Sequence, residues 1–124
     1  MAGTVSSPSA RPRDVLSVLA APVVRGEGTR IVVVVCGEAD GSSRHVLSDV
    51  LSRVIASHEG DVVIDLCEAE FIDSATVRVF AVGQQLLDDR GRKLTFRSPT
   101  RLATRMLHLF GLADLIEARE PAGL

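Results

Sequence analysis

The chain has 124 residues, 46% of them hydrophobic and 24% charged, with a formal net charge of −2. That is enough apolar material for one compact domain with its own core. A mildly acidic balance argues against a nucleic-acid binder, which shows a basic face. With neither Trp nor Tyr and only four Phe, base stacking has little to work with.

Residues 1–13 carry Gly, Ser and Pro without periodicity and read as a disordered tail. Val15 to Val24 is weakly β-like, and Pro22 suits an edge strand or a bulge. Arg11 and Arg13 ahead of it raise the question of a secretion signal, but Asp14 and Pro22 interrupt one, so the cytoplasm is the expected location. Gly26 to Thr29 reads as a turn. Arg30 to Cys36 is β-branched and continuous, the pattern of a strand buried on both faces. Its run from Ile31 to Cys36 is far too short to span a bilayer.

Gly37-Glu38-Ala39-Asp40-Gly41 breaks that strand. Val46, Leu47, Val50, Leu51, Val54 and Ile55 then form one helical stripe, which Gly60 can end as a C-terminal cap. Asp61 to Leu66 predicts a second strand, and Cys67 to Glu70 a connection. A helix follows from Ser74 to about Asp89, with Val77, Phe80 and Ala81 facing inward and Leu86 and Leu87 extending the apolar surface. Arg90-Gly91 stops it. Lys93 to Arg97 is a third strand of the same kind. Ser98-Pro99 opens a last helix with Leu102, Met106, Leu109 and Phe110 as its buried face, ended by Gly111-Leu112. Ala113 to Glu117 reads as a short helix or a closing strand.

The order β-β-α-β-α-β-α specifies one α/β domain, over residues 14–119, with a parallel centre to its sheet and a frayed end at 120–124. In such sheets functional groups gather at the carboxyl ends of the strands. Here those ends carry Glu38 and Asp40 in one loop, and Asp65, Glu68, Glu70 and Asp73 around the other. Asp73 is a natural N-cap. Ser74 then becomes the first helical residue, beside backbone N–H groups that have no helical partner and favour a phosphoryl group. A phosphate there, among acids, would change sharply how a partner docks.

Enzyme readings fare poorly. There is no Cys-x-x-Cys pair, no glycine-rich phosphate loop and no dinucleotide fingerprint. His45, His58 and His108 show no nucleophile–base spacing and read as solvated. Asp65 ends a strand as a receiver phospho-aspartate would, but the acid pair after the first strand and the lysine after the last are missing. Cys36 and Cys67 are too few and too far apart for a zinc site, and no metal is expected.

Gly37-Glu-Ala-Asp40, Val62-Val-Ile-Asp-Leu66, Phe71-Ile-Asp-Ser74 and Arg105-Met-Leu-His-Leu-Phe-Gly-Leu112 occur in an order and spacing that resembles the STAS family, and within it the bacterial anti-anti-sigma factors, from Leu16 to Glu117. The resemblance implies a mixed, mostly parallel sheet with an antiparallel edge strand, packed against helices. It implies a binding protein rather than an enzyme: an anti-sigma factor antagonist that binds an anti-sigma factor of the serine-kinase type and frees a sigma factor for transcription. The kinase would phosphorylate Ser74 and a serine phosphatase would reverse this. ATP and Mg²⁺ belong to the kinase, so no cofactor is expected on this chain. The implied partner surface comprises Gly37, Glu38, Asp40, Glu70, Asp73, Ser74, Thr76 and Val77. Neither nucleic acid nor membrane is an expected partner, and a monomer or weak dimer is the expected state. The alternative within the family is a STAS scaffold or regulatory subunit of a transporter or other signalling complex.

One position departs from the family pattern. Where the family often has Asp-Ser-Ser-Gly-Leu, this chain has Asp73-Ser-Ala-Thr-Val77, so a β-branched Thr76 stands at the glycine position and is itself an alternative acceptor. Cys36 and Cys67 both fall just past predicted strands. On parallel neighbours they would share one end of the sheet, as two buried thiols or as a redox pair.

Overall fold

The computed structural model describes residues 23–39 and 44–117. The expected tail, the first part of the Val15–Val24 strand, Asp40 and the C-terminal residues 118–124 lie outside the described residues. Among the described residues four strands run β1 (Val23–Glu27), β2 (Arg30–Ala39), β3 (Val62–Ile72) and β4 (Leu94–Arg97). They lie side by side in chain order, with β1 antiparallel to β2 and the other pairs parallel. Between them come α1 (Arg44–Ser57), α2 (Ser74–Asp88) and α3 (Arg101–Leu109), then a 3-10 turn at Ala113–Leu115. The α/β mixed sheet with an antiparallel edge is therefore as the sequence pattern implies. The closing segment is both of its alternatives at once: the 3-10 turn leads Ile116 into a parallel bridge with Phe96.

The core follows from the strand period of two. Ile31, Val33, Val35, Val62, Ile64, Leu66, Leu94 and Phe96 point to the helices and meet Leu47, Leu51, Val54, Ile55, Val77, Phe80 and Leu87. Phe80 and Phe96 meet edge to face, 5.4 Å between ring centroids. On the other face Val32, Val34 and Val63 form a second buried cluster. The continuous β-branched run of β2 is thus apolar on both sides because both sides are buried.

Two strands run past their predicted ends. The sequence pattern stops β2 at Cys36 and β3 at Leu66, yet β2 continues to Ala39 and β3 to Ile72. The extension pairs Cys36 with Glu68, Gly37 with Ala69, Glu38 with Phe71 and Ala39 with Ile72. Between the Val34–Asp65 and Cys36–Glu68 pairs, and again between Gly37–Ala69 and Glu38–Phe71, β3 gains one residue on β2. These irregularities replace the alternation: past Leu66 only Ala69 and Ile72 are buried, and Cys67, Glu68, Glu70 and Phe71 are exposed. A polar stretch with every third residue inward does not look like a strand in sequence. On the facing strand Gly37, at φ 72°, sits at the second irregularity, where its left-handed backbone is open to glycine.

Other boundaries shift for identifiable reasons. Gly60 is not a left-handed cap. A Cβ there would lie 1.6 Å from the carbonyl oxygen of Thr29, so glycine is required by the close approach of the β1–β2 turn. Arg92 instead ties down the end of α1 and the segment after it, donating to Ile55 O at 2.8 Å and to Gly60 O at 2.9 Å. The cap of α3 is Thr100, accepting from Ala103 N at 3.1 Å, rather than Ser98. With that start, Ala103 and Leu107 face the core, while Met106 and Phe110 are half-buried and Leu102 and Leu109 are exposed. Gly111 ends the helix as expected.

On the face away from the helices, Arg97 and Arg30 each bond both Glu27 and Glu117, with Arg97 contacts of 2.8 Å to Glu27 and 3.0 Å to Glu117. The Arg97 hydrogen bonds are the main reason that the Glu27 carboxyl is held down at about 2, with Arg30 adding to them.

Two measurements probe these contacts. Gly60→Ala should cost about 1–3 kcal/mol or more, because backbone on both sides has to move, read as a lower urea midpoint. Glu27 has a lowered native pKa, so its contribution is complete above its unfolded value of 4.5 and is lost as pH falls toward about 2. Denaturation midpoints followed through that window should fall more gently in Glu27→Gln than in the parent.

Candidate functional site

Parallel pairing of β2 and β3 brings Ala39 and Ile72 to one end of the sheet, beyond the Asp65–Arg97 pair at which β4 stops. At that end β3 hands over to α2 through Asp73 alone. Asp73 has extended backbone (φ −105°, ψ 176°), and its Oδ1 accepts from Thr76 N at 2.9 Å and from Thr76 Oγ1 at 2.8 Å. The carboxylate thus satisfies one of the open N–H groups of the first turn and turns the Thr76 side chain toward itself. Ser74 is the first helical residue and is exposed. Among the described residues its hydroxyl has no hydrogen-bond partner.

The other expected contact residues divide. Glu70 is exposed and Gly37 and Asp73 are half-buried; Asp73 adjoins Ser74, while Gly37 pairs with Ala69 further up the β3 extension. The backbone of Glu38 lies in the β2 extension opposite Phe71, and Asp40 lies outside the described residues. Thr76 and Val77 are fully buried, which corrects their assignment to a contact surface. The Thr76 hydroxyl is bonded to the cap and its side chain faces inward, so it is neither a surface contact nor an available acceptor. The bulk that replaces the family's glycine is therefore absorbed inside the helix start.

The acids around the site differ in setting. Glu68 and Glu70 are exposed on the β3 extension. Asp65 is buried, opposite Val34 and Arg97 in the sheet, and its Oδ1 accepts from Cys67 N at 3.0 Å. A carboxylate so enclosed is not presented to a phosphodonor as a receiver aspartate would be.

Cys36 and Cys67 are exposed free thiols, not buried ones. The register places Cys36 opposite Glu68, the residue after Cys67, and Cys36 Sγ donates to Glu68 Oε1 at 3.6 Å. Desolvation, then the charge and hydrogen bond of Glu68, push the Cys36 thiol up; the Asp65 hydrogen bond, then desolvation, does the same to Cys67. Carboxylates beside both thiols favour the protonated form, the reverse of the cationic setting that activates a thiol.

Sequence reasoning missed an apolar groove of about 250 Å³ between α1 and α2, with Leu51, Ile55, Val79 and Gly83 at its base. Val82 (60% exposed) and Leu86 (41%) stand on its rim. Arg44, which opens α1, and Arg78, one turn into α2, line the end nearest Ser74. The available signal was Arg78-x-x-x-Val82-x-x-x-Leu86, a stripe beside the core-facing one that reads as excess apolar surface. Phe71, just before the cap, is also 42% exposed.

The family model described as "Mlab, STAS domain" matches residues 23–117. No curated protein matches the chain significantly. Among solved structures, the anti-sigma factor antagonist SpoIIAA in its unphosphorylated form superposes with a TM-score of 0.70 at 14% identity, covering 81% of this chain and 90% of that one. A candidate anti-sigma factor antagonist from Thermotoga maritima gives 0.70 at 16% identity, over 82% and 87%. The Bacillus cell fate determinant SpoIIAA in its phosphorylated form gives 0.66 at 16%, over 81% and 93%. At these identities the likeness is one of fold. Among the described residues no helix is long and apolar enough to cross a membrane.

The thiol environment gives a direct test. Alkylation by iodoacetamide at neutral pH, followed by peptide mass spectrometry, should be slow at both cysteines. It should quicken roughly threefold at Cys36 in Glu68→Gln and at Cys67 in Asp65→Asn. Rates indifferent to both changes would show that the carboxylates do not control the thiols.

Proposed function

This chain belongs to the STAS domain family, and on that premise we propose that it is an anti-sigma factor antagonist switched by phosphorylation of Ser74. The observation that carries the reading is the exposed hydroxyl of Ser74 at the start of α2, presented by a cap that is fully engaged with Thr76. A partner kinase needs an accessible acceptor on a fixed frame, and this residue has both.

In the unphosphorylated state the chain binds a serine-kinase anti-sigma factor through the surface around Gly37, Glu70, Asp73 and Ser74 and so frees a sigma factor. The kinase brings ATP and Mg²⁺; this chain supplies the acceptor. Phosphorylation adds about −1.5 to −2 charge next to Asp73, on a loop whose incoming strand carries Glu68 and Glu70. The open N–H groups at the start of α2 favour the phosphate locally, while the surrounding carboxylates make the surface more negative for any docking partner. Loss of binding then needs no rearrangement of the sheet or helices. A serine phosphatase restores the binding state. Two of the similar structures are SpoIIAA, one phosphorylated and one not, and they support this use of the fold.

Incubation with the cognate anti-sigma kinase and ATP, read by intact mass, should add one phosphate to the parent and none to Ser74→Ala. In pull-downs the kinase should be retained by parent and Ser74→Ala and lost with Ser74→Glu. Phosphate that still appears on Ser74→Ala sinks the site.

A further inference from the structure

We infer that Arg44 and Arg78 form the seat for the phosphate carried by Ser74, and that the seated phosphate bridges α1 to α2 across the head of the groove between them. The inference rests on Ser74 being the acceptor, as proposed above, but it concerns what the modified chain does to itself.

Ser74 and Arg78 are four residues apart on α2, the spacing that puts two side chains on one face about 5–6 Å apart at Cβ. Arg44 comes from the other helix and lines the groove together with Arg78 and with Ala75, the residue after Ser74. The electrostatics of this end are unusual. Neither α1 nor α2 has an acidic residue in its first turn, where an anion is favourable, and Arg44 puts a cation at the positive end of α1, where it is unfavourable. Two helix starts and two arginines thus line one groove, with the Asp73 cap as the carboxylate at the start of α2. Among the described residues no ion pair engages either arginine. The stem of Arg78 lines the groove while its guanidinium rests 5.9 Å from the centre of the Phe110 ring. That interaction is weaker than a paired N–H···O bond with phosphate, which planar guanidinium is shaped to make.

The remaining charged groups nearby do not replace the arginines. Asp73 is committed to Thr76. Glu70 on β3 is exposed, and so are His45 and Asp49 on α1. The carboxylates oppose the phosphate and the arginines favour it, so removal of the arginines isolates their part.

A phosphate held by both arginines ties the two helices together at the open end of an apolar groove whose rim is Val82 and Leu86. It also withdraws both guanidiniums from any carboxylate that a docking protein offers. The modification therefore closes a surface as well as adding charge to one.

The test needs no kinase. Phosphoserine is installed at position 74 through an expanded genetic code, and the phosphate is titrated by ³¹P NMR. Its proton affinity should be about tenfold lower in the parent than in Arg44→Ala/Arg78→Ala, with each single change giving part of the difference. Arg53→Ala, exposed elsewhere on α1, should match the parent. Matching amide spectra of the unphosphorylated variants establish that the fold is intact. Equal titration in parent and double variant overturns the seat, and dependence on one arginine alone overturns the bridge. A kinase that ignores Ser74 would instead sink the proposed function and leave this result standing.

Discussion

The pairing of β2 with β3 is the constraint on which the rest of the molecule depends. Val32, Val33, Val62, Val63 and Ile64 are all fully enclosed there, and sheet pairing, helix packing and site placement are built outward from them. Each fully buried aliphatic side chain is worth about 1.5–3 kcal/mol, so this pair fixes the register of the sheet. Because the pair is parallel, both strands end on the same side. Because it outlasts its own regular alternation, the extended ends deliver Gly37, Glu68, Glu70 and Phe71 to the edge where α2 begins. Ser74 is placed by the length of a strand as much as by its own cap.

The sequence revealed the fold where periodicity was clean. The valine run of β2, the stripe of α1 and the Asp73 start of α2 needed only rules of burial and capping. It concealed the fold where a second influence overrode the period. The β3 extension was hidden because Cys67, Glu68 and Glu70 are polar and because bulging resets the inward positions to Ala69 and Ile72. In α3 the small Ala103 conceals the buried stripe: without it Leu107 falls outside the face suggested by Leu102, Met106 and Leu109, yet Ala103 and Leu107 are the residues that are buried. Gly60 read as a cap because glycine after a helix usually is one, whereas its cause is a carbonyl from a distant turn.

The site was legible as a pair and illegible as a surface. Asp73 and Ser74 could be read from the strong preference of acids for N-caps. Thr76 and Val77 follow them in sequence but turn inward, since a helix rotates its residues off any one face within a single turn. Arg44 and Arg78, thirty-four residues apart in the chain, share a groove only once α1 and α2 pack side by side. No local pattern encodes that meeting. The β3 extension carries carboxylates and the starts of α1 and α2 carry arginines, with Ser74 at the junction of β3 and α2. A hydroxyl at that junction is where adding one charged group changes most.

The strand order β1-β2-β3-β4 has a further consequence, for how the chain acquires its shape. Among the described residues each strand after the first lies beside the one made just before it, so none of these strands threads between earlier ones. Only β1 and β2 close a short loop; the parallel pairs join Ile31 to Val62 and Val62 to Leu94 across a helix, so the hairpin forms cheaply and the crossovers set the pace. During synthesis the sheet can accrete from its first hairpin outward, covering each new edge as the next strand leaves the ribosome. Glu117 arrives last and fastens Arg30 of the second strand to Arg97 of the fourth, so assembly ends by joining its beginning to its end.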